Sequence, residues 1–294
     1  MAAVTEEYKT KVMDDVKTYV GLARPIKASL IERLAVRKLS PKRLHPNPED
    51  EFSMPEIGPN YEIVGKYEKT FKNNMDHSQD AMDPDDPLMI EKMSTGGYML
   101  LNGHHRWMAA LRLGLKRVPV QIVNTTTIED IISAIKKSNR DMCVSFDLDE
   151  VLFIADNNSS LGNKLSFPFN LIFKHSLKKN AQALINELRF MGFDVWVYTG
   201  NYYSDKYINS MFSLFHTGVD GIVNALNEKS RHKNLKDLFT QNYRWSVHID
   251  NESVLCVNTK THEYESYELN TDGADWAADV IAVLKKLDFS ANEE

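Results

Sequence analysis

The chain has 294 residues and a formal charge of −6, with 43% hydrophobic and 26% charged residues. This length suits two ordinary domains, and the balance of apolar and charged residues excludes a disordered or fibrous chain. No apolar run reaches the ~18 residues of a membrane span, and no apolar secretory segment begins the chain. Two cysteines cannot build a disulfide framework, so we expect a cytoplasmic protein.

The first half of the chain predicts short strands and helices around a glycine turn. Its predicted elements are a helix over Thr5–Val20, a hairpin of Leu88–Met93 with Tyr98–Leu101, a helix that follows Asn102-Gly103 and ends at Gly114, and a strand over Val118–Val123. We expect a helical extension over residues 1–35 and an α+β domain over 36–124. A Thr126-x-x-Glu129 capping box then opens a linking helix over 125–140.

In the second half, strands alternate with helices, which is typical of a mostly parallel α/β sheet. The predicted elements are strands over Cys143–Phe146, Asp194–Tyr198 and Ser246–Ile249, helices over Leu177–Met191, Lys233–Phe239 and Trp276–Leu287, and a hairpin of Val254–Val257 with Tyr264–Leu269. We therefore expect residues 141–294 to form one domain.

Two aspartates, Asp147 and Asp149, stand at the carboxyl end of the first of these strands. Ligands bind at that end of parallel sheets, and alternation along the chain places both carboxylates on one side. Oxygen ligands of this kind suit Mg²⁺, which would keep the first carboxylate ionised and nucleophilic beside a phosphate. The pattern predicts a magnesium-dependent phosphate site.

Three further residues follow in an order that fits this chemistry. Thr199 ends a strand and can donate a hydrogen bond to a phosphate, Lys233 opens a helix and can supply a cation, and Asp250 ends a third strand with oxygen ligands. The set resembles the haloacid dehalogenase (HAD) superfamily of phosphohydrolases, from Asp141 to the end of the chain. We therefore expect a HAD-like Rossmannoid parallel-sheet domain with phosphatase activity.

The resemblance implies a role for each motif residue. Asp147 would be the nucleophile that forms an aspartyl-phosphate, and Asp149 would be the general acid and then the general base. Thr199 and Lys233 would hold the phosphoryl oxygens. The implied Mg²⁺ site is Asp147, the backbone carbonyl of Asp149, and Asp250 or Asn251, and the other phosphate contacts are Gly200 and Asn201.

Two departures qualify the resemblance. The pair Asp250-Asn251 replaces the usual acidic pair, as in the capless C-terminal-domain phosphatase branch, and Val151 stands where many phosphatases have Thr. The intervals between the motifs leave no room for a separate cap domain. A short flap over Ala155–Phe173, the N-terminal domain, a second subunit or the substrate itself could therefore exclude water from the site.

A second motif lies in the first half, where Asn102-Gly103-His104-His105-Arg106 joins a strand to a helix start. Backbone N–H groups at such a start, with the helix dipole and an arginine, can hold a phosphate. With its flanking segments this turn resembles the ParB/sulfiredoxin nucleotide-binding fold, over roughly Lys38 to Val123. The resemblance implies nucleotide or phosphate binding by the turn and by Glu49.

The departures narrow the role of this domain. His104 stands where sulfiredoxin has its catalytic Cys, so we do not expect the repair reaction of sulfiredoxin. A chromosome-partitioning ParB would continue into a helix-turn-helix domain, whereas here the HAD-like segment follows. Members that phosphorylate free serine share the Gly-His-His-Arg turn but carry Asp where this chain has Asn102. Glu49 could be the base of such a kinase.

Three functions remain open at this point. The first is a Mg²⁺-dependent phosphatase that acts on a nucleotide, a phosphorylated small molecule or a nucleic-acid end, with a nucleotide-binding ParB-like domain and no membrane partner. The second is a bifunctional kinase–phosphatase whose ParB-like half transfers phosphate to a hydroxyl group. The third is a regulatory protein that binds phosphorylated ligands without turnover. The sequence leaves an oligomer possible.

Overall fold

The structure is a computed structural model that describes residues 2–19, 24–33, 35–154, 162–171, 173, 175–224, 238–258, 264–271, 273 and 275–286. The chain divides into two compact units, Met1–Asn124 and Thr125–Glu294. Each unit has its own main sheet and its own cluster of buried apolar side chains. None of the described helices is long and apolar enough to cross a membrane.

The first unit is built on one mixed five-stranded sheet. Its elements are α1 (Ala2–Tyr19), α2 (Leu30–Arg33), β1 (Arg37–Leu39), β2 (Leu44–Pro46), α3 (Tyr61–Asp76), β3 (Leu88–Lys92), β4 (Tyr98–Asn102), α4 (His104–Arg112) and β5 (Val118–Val123). The strand order is β1-β5-β3-β4-β2. The predicted hairpin is confirmed, because β3 and β4 pair in antiparallel fashion.

Local signals in the sequence explain how two helices attach to this sheet. Asn60 caps α3 by accepting hydrogen bonds from the backbone N–H groups of Glu62 and Ile63. Helix α1 buries Val12 and Val16 in the core of the first unit, and burying a valine side chain is worth about 1.5–3 kcal/mol. The helix of the predicted N-terminal extension is therefore part of the first unit.

The second unit is built on a six-stranded sheet. Its elements are α5 (Ile128–Ile135), β6 (Met142–Asp147), β7 (Phe153–Ile154), β8 (Gly162–Asn163), β9 (Ser176–Lys178), α6 (Ala181–Phe190), β10 (Phe193–Thr199), α7 (Asp205–Leu214), β11 (Gly221–Asn224), β12 (Trp245–Ile249), β13 (Ser253–Asn258), β14 (Tyr264–Glu268) and α8 (Trp276–Lys286). Residues 238–242 are also helical. The helix expected to link the domains, now α5, belongs to this unit.

The order of the parallel strands reverses once in this sheet. The order is β11-β10-β6-β12-β13-β14, and β6 pairs in parallel with β10 on one side and with β12 on the other. The predicted hairpin β13–β14 extends the sheet in antiparallel fashion. In open α/β sheets, ligands bind outside the carboxyl ends of the strands where the order reverses. In this sheet that position lies between β6 and β12.

Both faces of the sheet are covered, as expected for central parallel strands. Alternate residues of β6, β10 and β12, such as Val144, Val197 and Val247, lie in the large apolar cluster that α6, α7 and α8 complete. The opposite face buries Trp196, which packs with Phe239 and with Ile131 of α5. The period of two along each strand produces this division.

A small second sheet follows β6. Residues Leu148–Leu152 form a π-helical turn, and β7, β9 and β8 then form an antiparallel sheet in the order β7-β9-β8. The prediction of a helix from Leu177 to Met191 is wrong at its start, because residues 176–178 form β9 and the helix begins at Ala181. Leu177 is a buried residue of strand β9. Its apolar side chain matched the periodicity of the helix that follows, although Leu177 is not part of that helix.

The capping residue of α5 also differs from the prediction. Thr127, rather than Thr126, caps the helix in a reciprocal pair with Asp130. The Thr126 hydroxyl instead donates to the carbonyl of Ile222 and accepts from the N–H of Asn224 on β11. These bonds attach the segment before α5 to the edge strand of the sheet.

Candidate active site

The predicted catalytic carboxylates lie at the carboxyl ends of adjacent parallel strands. Asp147 ends β6, Thr199 ends the neighbouring β10, and Asp250 follows β12 on the other side. These three residues come from segments far apart in the sequence: Asp147 and Asp250 lie on the two sides of the position where the strand order reverses, and Thr199 ends the strand on the other side of β6. The fold thus brings the ends of these strands to one edge of the sheet, although the strands are far apart in the sequence.

Asp147 caps the π-helical turn that follows β6. Its Oδ1 accepts hydrogen bonds from the N–H groups of Asp149 and Glu150, each at 2.8 Å. Burial raises the pKa of Asp147, the two N–H bonds oppose this shift, and the nearby carboxylates of Asp149 and Asp250 raise the pKa further. The side chain is therefore fixed in direction and lies near the carboxylates of Asp149 and Asp250.

Negative charge accumulates at this end of the sheet. Repulsion from Asp147 is the main cause of the raised pKa of Glu150, with burial and the carboxylates of Asp250 and Asp149 contributing. Within the described residues, no three side chains of His, Cys, Asp or Glu are placed to hold a metal ion. The predicted Mg²⁺ site, which consists of Asp147, the backbone carbonyl of Asp149, and Asp250 or Asn251, stays a prediction.

Carboxylate and carbonyl oxygens are the donors that a divalent cation prefers, and a cation held by Asp147 would offset the nearby carboxylate charge, which adds to the effect of burial in raising the pKa of Asp147. The backbone N–H of Asn251 donates to Asp250 Oδ1 at 2.8 Å, and its carbonyl accepts from the Thr271 hydroxyl at 3.0 Å. The loop after β12 is thereby held in place.

Thr199 makes a contact that the sequence did not predict. Its hydroxyl donates to Asp149 Oδ2 at 2.6 Å and accepts from the backbone N–H of Asn201 at 3.0 Å. The single hydroxyl proton is therefore directed at Asp149, while the contact of Thr199 with a phosphoryl oxygen stays a prediction. Gly200 is exposed, and a Cβ built there would meet nothing within 4 Å.

Sequence reasoning missed Tyr203 and His175. The Tyr203 hydroxyl donates to Asp149 Oδ1 at 2.8 Å and lies 3.2 Å from His175 Nε2. His175 Nδ1 lies 2.8 Å from the Tyr207 hydroxyl. The only sequence signal for Tyr203 is its position shortly after Thr199 in the turn beyond β10, and no pattern marks His175.

The remaining predicted catalytic residue, Lys233, lies outside the described residues. Its role as the cation that holds a phosphoryl oxygen stays a prediction.

The glycine turn of the first unit has a tightly determined geometry. Gly103 caps α4 with a φ of 94°, in the left-handed region, and offers no side chain to the helix N-terminus. A Cβ at this position would lie 2.5 Å from Leu88 Cδ2 and 3.0 Å from Arg106 Nη2. The turn therefore requires glycine for its backbone conformation and for space.

The two histidines of this turn accept hydrogen bonds from the protein's own backbone. His104 Nε2 accepts from the N–H of Asn47 at 3.3 Å, and His105 Nε2 accepts from the N–H of Asn60 at 3.1 Å. Burial lowers the pKa of His104 to about 4, against the opposing effect of Asp50, and burial also lowers the pKa of His105. Both rings are neutral at pH 7, so they supply no positive charge for a phosphate.

Arg106 is buried and bound to the loop before β3. Its Nη1 forms an ion pair with Asp86 Oδ1 at 2.6 Å, and its Nη2 lies 3.5 Å from Asn102 Oδ1. Glu49 is exposed on the turn between Asn47 and Asp50, and its N–H donates to Asn47 Oδ1 at 3.2 Å. The predicted residues of the first unit thus share one region, but the guanidinium is committed to Asp86.

Comparisons with known proteins address the first unit. Residues 27–139 match the ParB N-terminal domain. A C-terminally truncated chromosome-partitioning protein ParB from Caulobacter crescentus, complexed with CTP-gamma-S, is 22% identical over 36% of this chain and 54% of that chain, with a TM-score of 0.25. The same protein complexed to the centromeric parS site is 20% identical over 35% and 49%, with a TM-score of 0.23. The chain thus spans about half the length of these two structures.

A free serine kinase in complex with AMP is 12% identical over 76% of this chain and 86% of that chain, with a TM-score of 0.23. Among the curated proteins, none matches this chain. The prediction of a ParB-like N-terminal domain is confirmed by the family match. That match ends before Asp147, so the HAD-like identity of the second unit stays a prediction.

Proposed function

We propose that the second unit is a Mg²⁺-dependent phosphohydrolase of the HAD type that forms an aspartyl-phosphate on Asp147. One observation carries the proposal. Asp147 and Asp250 lie at the carboxyl ends of the adjacent parallel strands β6 and β12, where the strand order reverses, and Asp149 stands two residues beyond Asp147 in contact with Thr199. A ligand that binds at this edge would meet a nucleophile, a proton donor and cation ligands together.

The first half-reaction breaks the phosphate ester. A carboxylate oxygen of Asp147 forms a bond to phosphorus, the bond from phosphorus to the ester oxygen breaks, and Asp149 gives that oxygen its proton. The two backbone N–H bonds to Oδ1 fix the direction of the Asp147 carboxylate before it reacts.

The second half-reaction releases the enzyme. A water oxygen forms a bond to phosphorus, Asp149 takes a proton from that water, and the bond from phosphorus to Asp147 breaks to release inorganic phosphate. When bound by Asp147, the Asp149 carbonyl and Asp250, Mg²⁺ supplies positive charge that offsets the charge on the phosphoryl oxygens. The proposed substrates are phosphate monoesters of nucleotides or nucleic-acid ends.

Hydrolysis of p-nitrophenyl phosphate by the full chain in the presence of Mg²⁺ tests this proposal. We expect Asp147→Asn to abolish turnover, because an amide is not a nucleophile for phosphorus. Asp279→Asn is the matched control, because Asp279 is exposed on α8 and the change is chemically identical. Absence of hydrolysis by the wild-type chain, or full activity of Asp147→Asn, would refute the phosphatase proposal.

We further propose that the ParB-like unit binds a nucleotide through its phosphates. Two observations support this: residues 27–139 match the ParB N-terminal domain, and the N-terminus of α4 follows a glycine that leaves it without a side-chain cap. Uncapped N–H groups with the helix dipole favour an anion. The ParB structure named above contains a CTP analogue, so CTP and ATP are the ligands to titrate.

The test is isothermal titration of the full chain with CTP and with ATP. Saturable binding supports the proposal, and the absence of any heat of binding up to millimolar concentration contradicts it.

The same sample, given labelled nucleotide with serine or an oligonucleotide, tests the kinase alternative. The turn that carries Glu49 lies against His104, so transfer that Glu49→Gln abolishes would establish that alternative. Binding without transfer or hydrolysis would establish the regulatory one.

A further inference from the structure

The Asp149 carboxylate is held by hydroxyl groups on both of its oxygens. Thr199 donates to Oδ2 at 2.6 Å and Tyr203 donates to Oδ1 at 2.8 Å. The proposed reaction needs Asp149 to exchange a proton with the ester oxygen and with water, and proton transfer depends on position within hydrogen-bond reach. Thr199 is one of the residues that carry the resemblance to the HAD superfamily, whereas no sequence motif includes Tyr203.

The directions of the hydrogen bonds around Tyr203 follow from its single proton. The Tyr203 hydroxyl donates to the Asp149 carboxylate, so its oxygen accepts from His175 Nε2–H at 3.2 Å. His175 Nδ1 lies 2.8 Å from the Tyr207 hydroxyl. Tyr207, His175 and Tyr203 thus form one hydrogen-bonded chain that ends on Asp149.

Ring packing holds this chain in place. The His175 ring stacks on Phe153 with centroids 5.2 Å apart, and the Tyr203 and Tyr207 rings stack with centroids 5.8 Å apart. The backbone carbonyl of Tyr203 also accepts a hydrogen bond from the side chain of Asn224 at the end of β11. His175 directly precedes β9, the central strand of the small sheet, so this sheet contributes to the geometry of Asp149.

We propose that Tyr203 is a positioning residue that, held by His175 on the small sheet, fixes the Asp149 carboxylate for proton transfer; this inference rests on the proposed phosphatase function. Removing the hydroxyl takes away one of the two side-chain donors that the described residues supply to Asp149, and it removes the hydrogen bond between Tyr203 and His175. The aromatic packing of Tyr203 does not depend on the hydroxyl, so the two contributions can be separated by mutation.

The first measurement compares kcat and KM for p-nitrophenyl phosphate in the full chain. We expect Tyr203→Phe to lower kcat by about 10- to 100-fold with little change in KM, because a small misplacement of a catalytic group has effects of this size. His175→Leu should cause a similar loss, and His175→Gln should restore part of it, because the amide can still donate to Tyr203. Tyr264→Phe, which removes a hydroxyl from an exposed residue of β14, is the matched control.

A double-mutant cycle shows whether the effect passes through Asp149. In an Asp149→Asn background, Tyr203→Phe should change kcat by less than about twofold, because the group it positions is already disabled. An equal loss in both backgrounds, or wild-type kcat in Tyr203→Phe, would overturn the inference. If Asp149→Asn is too slow to measure, rescue by His175→Gln supports the inference, and equal loss in His175→Leu and His175→Gln overturns it.

Failure of this inference can be distinguished from failure of the phosphatase proposal. If the wild-type chain hydrolyses no phosphate ester, or if Asp147→Asn is fully active, the proposed function fails and the inference fails with it. If the wild type is active and Asp147→Asn is inactive, the behaviour of Tyr203→Phe tests the inference alone. Thermal melting of each variant shows whether it folds. If Tyr203→Phe does not fold, the comparison of kcat between His175→Leu and His175→Gln tests the inference instead.

Discussion

The two units each place a turn between a strand end and a helical segment, but they fill that turn in opposite ways. In the second unit the capping residue is Asp147, whose carboxylate accepts hydrogen bonds from the backbone N–H groups at the start of the turn. In the first unit the capping residue is Gly103, which offers no acceptor. A turn that is capped by a carboxylate carries negative charge and favours a bound cation. A turn that is capped by glycine has backbone N–H groups without a side-chain acceptor, and these favour a bound anion.

The ionisable groups around the two turns follow the same division. Burial raises the pKa of Asp147, and repulsion from nearby carboxylates raises it further. Around Gly103, burial keeps His104 neutral and Asp86 pairs with Arg106. Among the described residues, the acidic groups near Asp147 therefore lie close to one another, whereas the arginine beside Gly103 is paired with a carboxylate. Under the proposed functions, nucleotide binding at the first unit would depend on backbone geometry, and phosphate and cation binding at the second would depend on charge.

The largest expected effect is loss of activity on removal of divalent cations. EDTA should abolish hydrolysis of p-nitrophenyl phosphate and Mg²⁺ should restore it, because the carboxylates of the second unit then lack their counter-charge. Asp250→Asn should raise the Mg²⁺ concentration for half-maximal activity by at least about tenfold, as one ligand charge is lost. Asp279→Asn should leave that concentration unchanged. Activity that persists in EDTA would contradict the role assigned to the acidic region.

Replacing Gly103 tests the claim that the first turn depends on geometry. Gly103→Ala should lower the free energy of unfolding of the first unit by about 2–4 kcal/mol, because it adds backbone strain at positive φ and overlaps Leu88. The control is Gly96→Ala, which has the same sign of φ but nothing within 4 Å of its Cβ. It should cost only about 1–2 kcal/mol. Equal losses in denaturant titrations of the two variants would show that space is not the cause.

The pH dependence of stability tests the neutral state of His104. Its pKa is lowered from 6.5 to about 4 by burial, so the unfolded chain binds a proton more readily than the folded one below pH 6.5. Stability should be full above that pH and should fall by up to about 3 kcal/mol as the pH drops toward 4. Hydrogen exchange of peptides from 98–112 would measure this locally.

A His104→Gln variant is the control for this measurement, because glutamine can keep the hydrogen bonds without titrating. It should remove most of the pH dependence in residues 98–112. An unchanged pH profile in this variant would assign the dependence to other groups.

The smallest expected effect is a gain in stability. Gly65 lies inside α3, and a Cβ there would meet nothing within 4 Å. Gly65→Ala should therefore stabilise the first unit by about 0.5–1 kcal/mol through helix propensity. Phosphatase activity should not change. A parallel change in kcat would show that the properties of the two units are not independent.

The sequence predicted the elements whose burial pattern is strong. The strands that deliver Asp147, Thr199 and Asp250 are apolar runs with a clear end, and each lies within one residue of its expected position. Helix α3 was missed because only Val64 and Phe71 along it are buried, which gives too thin a periodic signal, and prolines precede it. Thr126 was mistaken for the cap of α5 because its contacts with β11 are not local in sequence.

The residues of the candidate site that belong to sequence motifs were predictable, whereas the contacts that arise only from tertiary packing were not. Asp147 and Asp149 were identified from their position at a strand end. The contacts of Asp149 with Thr199 and Tyr203 join residues 50 and 54 positions apart, and only the folded sheet brings them together. The commitment of Arg106 to Asp86 could not be read from the sequence either, because it depends on where the loop before β3 lies.

The central place of β6 has a consequence for the biogenesis of the site. Ser145 on β6 contacts His248 on β12 across 103 positions of sequence, so the pairing that aligns Asp147 with Asp250 must wait until this distant segment has been synthesised and docked. Pairings of such long range form slowly, since loop closure precedes any gain in contacts. Onset of turnover during refolding would therefore report that this sheet is complete.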